Sequence, residues 1–78
     1  LAKQSVTIGR LPECDVVVDD AGASRQHARI LRTESGFVLT DLGSTNGTMV
    51  NGEPIREHVL ENGDRITIGE TELEFRSG

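Results

Sequence analysis

With 78 residues, this chain holds one domain, near the lower limit of what a single hydrophobic core stabilises, where roughly 60% of the unfolded chain's surface is buried on folding. Only 35% of the residues are apolar, with two Phe and neither Trp nor Tyr, so the core is aliphatic and sheet is favoured over helix. A formal charge of −5 argues against a nucleic-acid binder, whose affinity comes from clustered Lys and Arg, and the single Cys14 excludes an intramolecular disulfide.

The first element is a half-buried strand in which Val6 and Ile8 alternate with Ser5 and Thr7. Residues 16–18 are a continuous β-branched run bounded by Asp15 and Asp19, which fits a strand covered on both faces. Residues 24–34 admit two readings. Ser24 could cap a helix and Gly36 stop it, but a helix would crowd Arg25, Arg29 and Arg32 together and leave Ile30 away from Ala28 and Leu31. A strand turns Ala28 and Ile30 inward and Arg29 outward, and is the preferred reading. Alternation then recurs at Phe37 and Leu39 against Val38 and Thr40, at Ile66 and Ile68 against Arg65 and Thr67, and at Leu73 and Phe75 against Glu72 and Glu74.

Asn-Gly pairs at 46–47, 51–52 and 62–63 tolerate the positive φ angles of tight hairpin turns, and three of them predict an antiparallel meander. Turns at intervals of about 8 to 12 residues point to an all-β fold, an antiparallel β-sandwich. No repeat or linker interrupts it, and residues 76–78 read as a frayed end. With no charged-then-apolar leader and no long apolar run, the expectation is a cytoplasmic protein without membrane insertion.

The polar residues that the core cannot use sit at strand ends: Gly9-Arg10 after the first strand, residues 21–24 before the third, and residues 43–47 after the fourth. In a sandwich such loops can converge on one site. They would bring together a guanidinium, hydroxyls, an amide and several backbone N–H groups, a set rich in donors and poor in carboxylates. That chemistry suits a phosphate ester, whose oxygens take the planar fork of Arg together with hydroxyl and N–H donors.

The ordered pattern Gly9-Arg10, Ser24-Arg25-Gln26-His27, Ser44-Thr45-Asn46-Gly47-Thr48 and Val50-Asn51-Gly52 closely resembles the forkhead-associated (FHA) domain family, whose members bind phosphothreonine peptides. The resemblance spans residues 5–75. It implies a β-sandwich in which Arg10 contacts the phosphate or the adjoining peptide backbone, Ser24 donates its hydroxyl to a phosphate oxygen, and Arg25 adds a further phosphate contact. Thr45 and Asn46 would hold the phosphothreonine methyl and the peptide main chain. His27 would be a structural histidine, and Gly9, Gly47, Asn51 and Gly52 would support the loops. The implied function is phosphothreonine-dependent recognition in Ser/Thr kinase signalling. The partner would be a phosphothreonine-containing protein or peptide, a class that includes a Ser/Thr kinase and a phosphorylated segment of the parent chain; a monomer is the expected state, with an oligomer as the alternative.

Departures from the family pattern set further expectations. Position 22 can carry a basic residue that reads an acidic side chain three places after the phosphothreonine; here it is Gly22, so no strong acidic preference is expected from it. Family domains usually have one or two strands upstream of the Gly-Arg strand, so residues 1–78 are either a compact variant that lacks them or, the preferred expectation, one domain excised from a larger protein, which would supply a partner to an otherwise unpaired first strand. Asp41 and Asp64 read as turn-adjacent carboxylates outside the phosphate site, where like charge would repel.

An enzyme is not expected. The sequence around Ser24 lacks the G-x-S-x-G of a nucleophile elbow, residues 43–47 lack the Gly-Lys-Ser/Thr ending of a nucleotide-binding loop, and His27, His58 and Cys14 match no zinc spacing. No cofactor or metal is therefore anticipated. The competing class is a phosphate-independent interaction module that uses a sheet face or edge, which would not need Arg10, Ser24, Thr45 and Asn46 together.

Overall fold

The computed structural model describes residues 4–76. Strands run as β1 (Ser5–Gly9), β2 (Val16–Val17), β3 (Ala28–Thr33), β4 (Gly36–Asp41), β5 (Thr48–Val50), β6 (Glu53–Ile55), β7 (Glu57–Leu60), β8 (Arg65–Ile68) and β9 (Thr71–Glu74), with no helix among the described residues. They form two layers, a five-stranded sheet of order β2-β1-β3-β4-β7 and a four-stranded sheet of order β6-β5-β8-β9. The pairings are antiparallel except for β1 with β2, which run parallel over Ile8↔Val16 and Gly9↔Val17.

The alternation seen in the sequence sets the inner faces. Val6 and Ile8 of β1 stand opposite Ile30 and Ala28 of β3, and Ile30 stands opposite Leu39 of β4. All are buried against Val50, Leu60, Ile66, Ile68 and Phe75. Burying each large aliphatic side chain contributes roughly 1.5–3 kcal/mol relative to exposure. The two phenylalanines join the layers, with ring centroids 5.4 Å apart and planes tilted by 57°. Ala28 and Ile30 point inward and Arg29 outward, as the strand reading of residues 24–34 requires.

Three local expectations are corrected. Residues 16–18 are not covered on both faces: β2 is a two-residue edge strand whose Val17 is 52% exposed, and Val18 is buried only after the strand has ended. Second, β1 is not an unpaired strand, because β2 and β3 flank it. Third, the Asn-Gly pairs do not make a meander. Asn51-Gly52 closes the β5–β6 hairpin, with φ of 52° and 84°, as the twist of a two-residue hairpin demands. The other two pairs lie on connections between layers, β4 to β5 and β7 to β8. A positive φ reverses the chain, but it does not decide whether the flanking strands pair.

Of the frayed end expected over residues 76–78, Arg76 reaches the carboxylate of Glu74; residues 77–78 lie outside the described residues. On the outer face of the five-stranded sheet, Leu31, Val38 and Val59 stand in register as a short apolar row, with Leu31 and Val59 exposed.

Candidate functional site

The connections following β1, β2 and β4 meet at one end of the sandwich. Backbone pairing between the first two continues past the strands: the Arg10 N–H donates to the Ser24 carbonyl at 3.0 Å and the Leu11 N–H to the Arg25 carbonyl at 3.2 Å. Gly9 permits this approach, since a Cβ there would collide with the Arg25 carbonyl and lie 3.0 Å from the Cys14 sulfur. The arginine after Gly9 is thereby held beside residues 21–26.

His27 ties this segment to the β4–β5 connection. Its ring is fully buried, with Nδ1 accepting the Ser24 N–H at 3.0 Å and Nε2 lying 2.8 Å from the Gly47 carbonyl. Only an unprotonated Nδ1 can accept, so the pattern assigns the Nε2–H tautomer, which donates to Gly47. Two further links cross the same gap. The Thr45 N–H donates to the Ser24 hydroxyl oxygen at 3.1 Å, and Asn46 Nδ2 donates to the Gly22 carbonyl at 3.0 Å.

Between the connections lies an open groove of about 440 Å³ lined by Arg10, residues 21–26, Thr45 and Asn46. The sequence-expected ligand residues Arg10, Ser24, Arg25, Thr45 and Asn46 all line it, and no carboxylate does. Ser24 Oγ accepts from Thr45, which leaves its hydroxyl hydrogen to be donated into the groove. A larger concavity of about 680 Å³ lies beyond Thr45 and Asn46, which it shares, and there Arg56 is accompanied by the carboxylates of Asp41 and Glu57. A dianion is better accommodated in the smaller groove, where guanidinium groups meet it without an opposing carboxylate.

Asp41 shapes the β4–β5 connection from outside the smaller groove. Its carboxylate accepts from the Gly43 and Ser44 N–H groups, each at 2.9 Å, and from the Ser44 and Thr48 hydroxyls at 2.6 and 2.7 Å. Burial pushes this carboxyl up, but the Ser44 hydroxyl and N–H, the Thr48 hydroxyl and the Gly43 N–H outweigh it and hold the carboxyl below its ordinary value. The sequence reading left this organising role unassigned. The spacing Asp41-x-Gly43-Ser44, that of an Asx turn, is the local signal that could have shown it.

Asn51 and Gly52 are not brought to the groove. Their turn lies at the far end of β5 from Gly47, where Asn51 Nδ2 donates to Asp64 at 3.0 Å and Asn51 Oδ1 accepts the Arg65 N–H at 3.0 Å. Asp64 also accepts the Glu61 N–H at 2.8 Å and lies 3.4 Å from His58 Nε2. The Glu61 N–H and the Asn51 amide chiefly hold the Asp64 carboxyl below its ordinary value; desolvation opposes them and His58 reinforces them. This cluster braces the β7–β8 connection and makes no direct contact with the residues that line the groove.

The sequence model described as the FHA domain matches residues 6–69. The chain is 44% identical over 78 residues to the oxoglutarate dehydrogenase inhibitor of Corynebacterium diphtheriae, a match covering all of this chain and 54% of that protein. The chain thus spans about half the length of the curated relatives it matches. Among solved structures, one from a structural and functional study of phosphothreonine-dependent FHA domain interactions superposes with a TM-score of 0.92 at 38% identity, covering 100% of this chain and 81% of that one. Mycobacterium tuberculosis EmbR in complex with a low-affinity phosphopeptide superposes with a TM-score of 0.91 at 42% identity, covering 97% of this chain and 20% of that one.

Proposed function

The chain belongs to the FHA domain family, and from that premise we propose that it binds phosphothreonine-containing segments of proteins phosphorylated by Ser/Thr kinases. The observation that carries this reading is the groove itself, in which Arg10, Ser24, Arg25, Thr45 and Asn46 meet without a carboxylate. The phosphate, carrying about −1.5 to −2 charges at pH 7, sits against the Ser24 hydroxyl, with Arg10 and Arg25 as charged donors. Asn46 and Thr45 hold the peptide main chain and the threonine methyl. Four charge-assisted hydrogen bonds at roughly 1.5–3 kcal/mol each give about 6–12 kcal/mol, and an association cost of about 4 kcal/mol or more leaves at most about 8 kcal/mol, so affinity is expected to be micromolar or weaker.

On this reading the domain acts as a binding module rather than as an enzyme. His27, the residue best suited to act as a general base, has both ring nitrogens engaged by Ser24 and Gly47. A monomeric, cytoplasmic setting fits a reader of kinase products. The described residues include no helix long and apolar enough to cross a membrane. The partner is a phosphothreonine-containing protein or peptide, a class that includes Ser/Thr kinases and a phosphorylated segment of the parent protein.

Fluorescence anisotropy against phosphothreonine peptides, with phosphoserine and unphosphorylated controls, tests the reading. Micromolar binding confined to phosphothreonine and lost in folded Arg10→Ala and Ser24→Ala variants supports it. Binding that ignores phosphorylation would move the function to a surface such as the Leu31, Val38 and Val59 row.

A further inference from the structure

The carboxylate of Asp20 joins two parts of the fold that are remote in sequence. Oδ1 accepts the Gly22 N–H at 2.7 Å, closing a turn in the segment that lines the groove. Oδ2 accepts the Glu70 N–H at 3.0 Å and the Thr71 hydroxyl at 2.8 Å, 50 and 51 residues further along, at the β8–β9 turn of the other layer. The two segments also touch through their backbones. A Cβ on Gly22 would lie 2.8 Å from the Gly69 Cα, and a Cβ on Gly69 would collide with the Asp20 carboxylate. Gly22 is thus packed against the turn, and position 22 has no room for a side chain that reads a ligand.

Gly22 then passes the constraint on. Its N–H is held by Asp20 and its carbonyl accepts from Asn46 Nδ2, so a continuous line runs from Thr71 through Asp20 and Gly22 to a residue lining the groove. Asp20 itself does not line the groove. We propose that Asp20 is a positioning residue, a strap from the β8–β9 turn that sets the distance between the Ser24 and Asn46 sides of the groove and thereby the affinity for phosphorylated peptide. Its effect on affinity rests on the phosphothreonine reading; its effect on geometry does not. The hydrogen bond from the Gly22 N–H, followed by those from Thr71 and Glu70, holds the Asp20 carboxyl below its ordinary value, which keeps it the acceptor the strap requires.

The test pairs Asp20→Asn with Thr71→Val, which removes the Thr71 hydroxyl and leaves the Glu70 N–H as the remaining anchor at the turn, and Thr71→Ser, which restores the hydroxyl. Affinity for a phosphothreonine peptide is measured by anisotropy, and the Asn46 side-chain amide is followed by ¹H–¹⁵N NMR without ligand. Asp20→Asn is expected to bind about tenfold more weakly and Thr71→Val about threefold, on the scale of a lost hydrogen bond, with Thr71→Ser close to wild type. The Asn46 amide signals should move in the first two variants. Unchanged affinity and unchanged amide signals in folded Asp20→Asn and Thr71→Val would overturn the strap. If Asp20→Asn does not fold, the two Thr71 variants decide. If the wild type fails to bind any phosphothreonine peptide, the phosphothreonine reading fails, and the Asn46 signals alone uphold or overturn the positioning role.

Discussion

The Nε2–H of His27 donates to the Gly47 carbonyl at 2.8 Å, and this contact joins the segment carrying Ser24 to the segment carrying Thr45 and Asn46. Replacing the ring by Ala would leave the Ser24 N–H and the Gly47 carbonyl without their partner and open a cavity. His27→Ala is expected to lower the free energy of unfolding by about 3 to 5 kcal/mol. Chemical denaturation followed by circular dichroism reads the loss, and an unchanged midpoint would refute the bracing role.

Arg10 presents a planar fork to the groove, and Lys offers only a point charge. Arg10→Lys is therefore expected to bind phosphothreonine peptide about five- to tenfold more weakly, and Arg10→Ala considerably more so. Equal affinities for Lys and Arg would mean that the side chain contributes charge and no geometry.

Asn51 adopts a φ of 52° and bonds to Asp64 and to the Arg65 N–H, all at the far end of β5. Asn51→Ala is expected to cost about 1 to 2 kcal/mol of stability and to change peptide affinity by less than about twofold. Thermal melting and anisotropy on one preparation separate the two effects. A large loss of affinity in the folded variant would show that strain reaches the groove through β5.

Phosphothreonine loses half of its dianionic character near pH 6. Affinity is expected to fall below that pH by weakening the contacts to Arg10 and Arg25, while a difluoromethylene phosphonate analogue, whose fluorines lower the second pKa, would hold its affinity further into acid. Titration from pH 7.5 to 5 checks this, and a flat profile would exclude the dianion as the species bound.

Asp20, Asp41 and Asp64 all have folded-state carboxyls held below the ordinary value of 3.8. The unfolded chain therefore takes up protons first as pH falls. The stabilisation is complete above about pH 5, begins to fade as pH approaches 3.8, and is lost as pH falls through the lowered folded values. Melting temperatures between pH 7 and 2.5 should be level at first and then drop, and Asp64→Asn should flatten part of the drop. A domain equally stable at pH 3 and pH 7 would show that these hydrogen bonds contribute nothing to stability.

Much of this protein was legible from its residues alone. Val6 with Ile8 and Ala28 with Ile30 declare which faces are buried, because a strand's side chains alternate with a period of two and water sorts them. The residues around the groove were legible through the resemblance to the FHA pattern; their chemistry alone marked Arg10, Ser24, Thr45 and Asn46 as polar residues at strand ends that no core could use. Tertiary structure decided the rest. Val17 is exposed because its strand lies at an edge, which its β-branched neighbours cannot reveal. Only one of the three Asn-Gly pairs closes a hairpin, because φ preference is a property of the dipeptide while pairing depends on which layer the next strand joins. The tethers from His27 to Gly47 and from Asp20 to Thr71 lie beyond any local pattern. Such hydrogen bonds depend on distances set by the packing of two whole sheets, and no run of neighbouring residues encodes those distances.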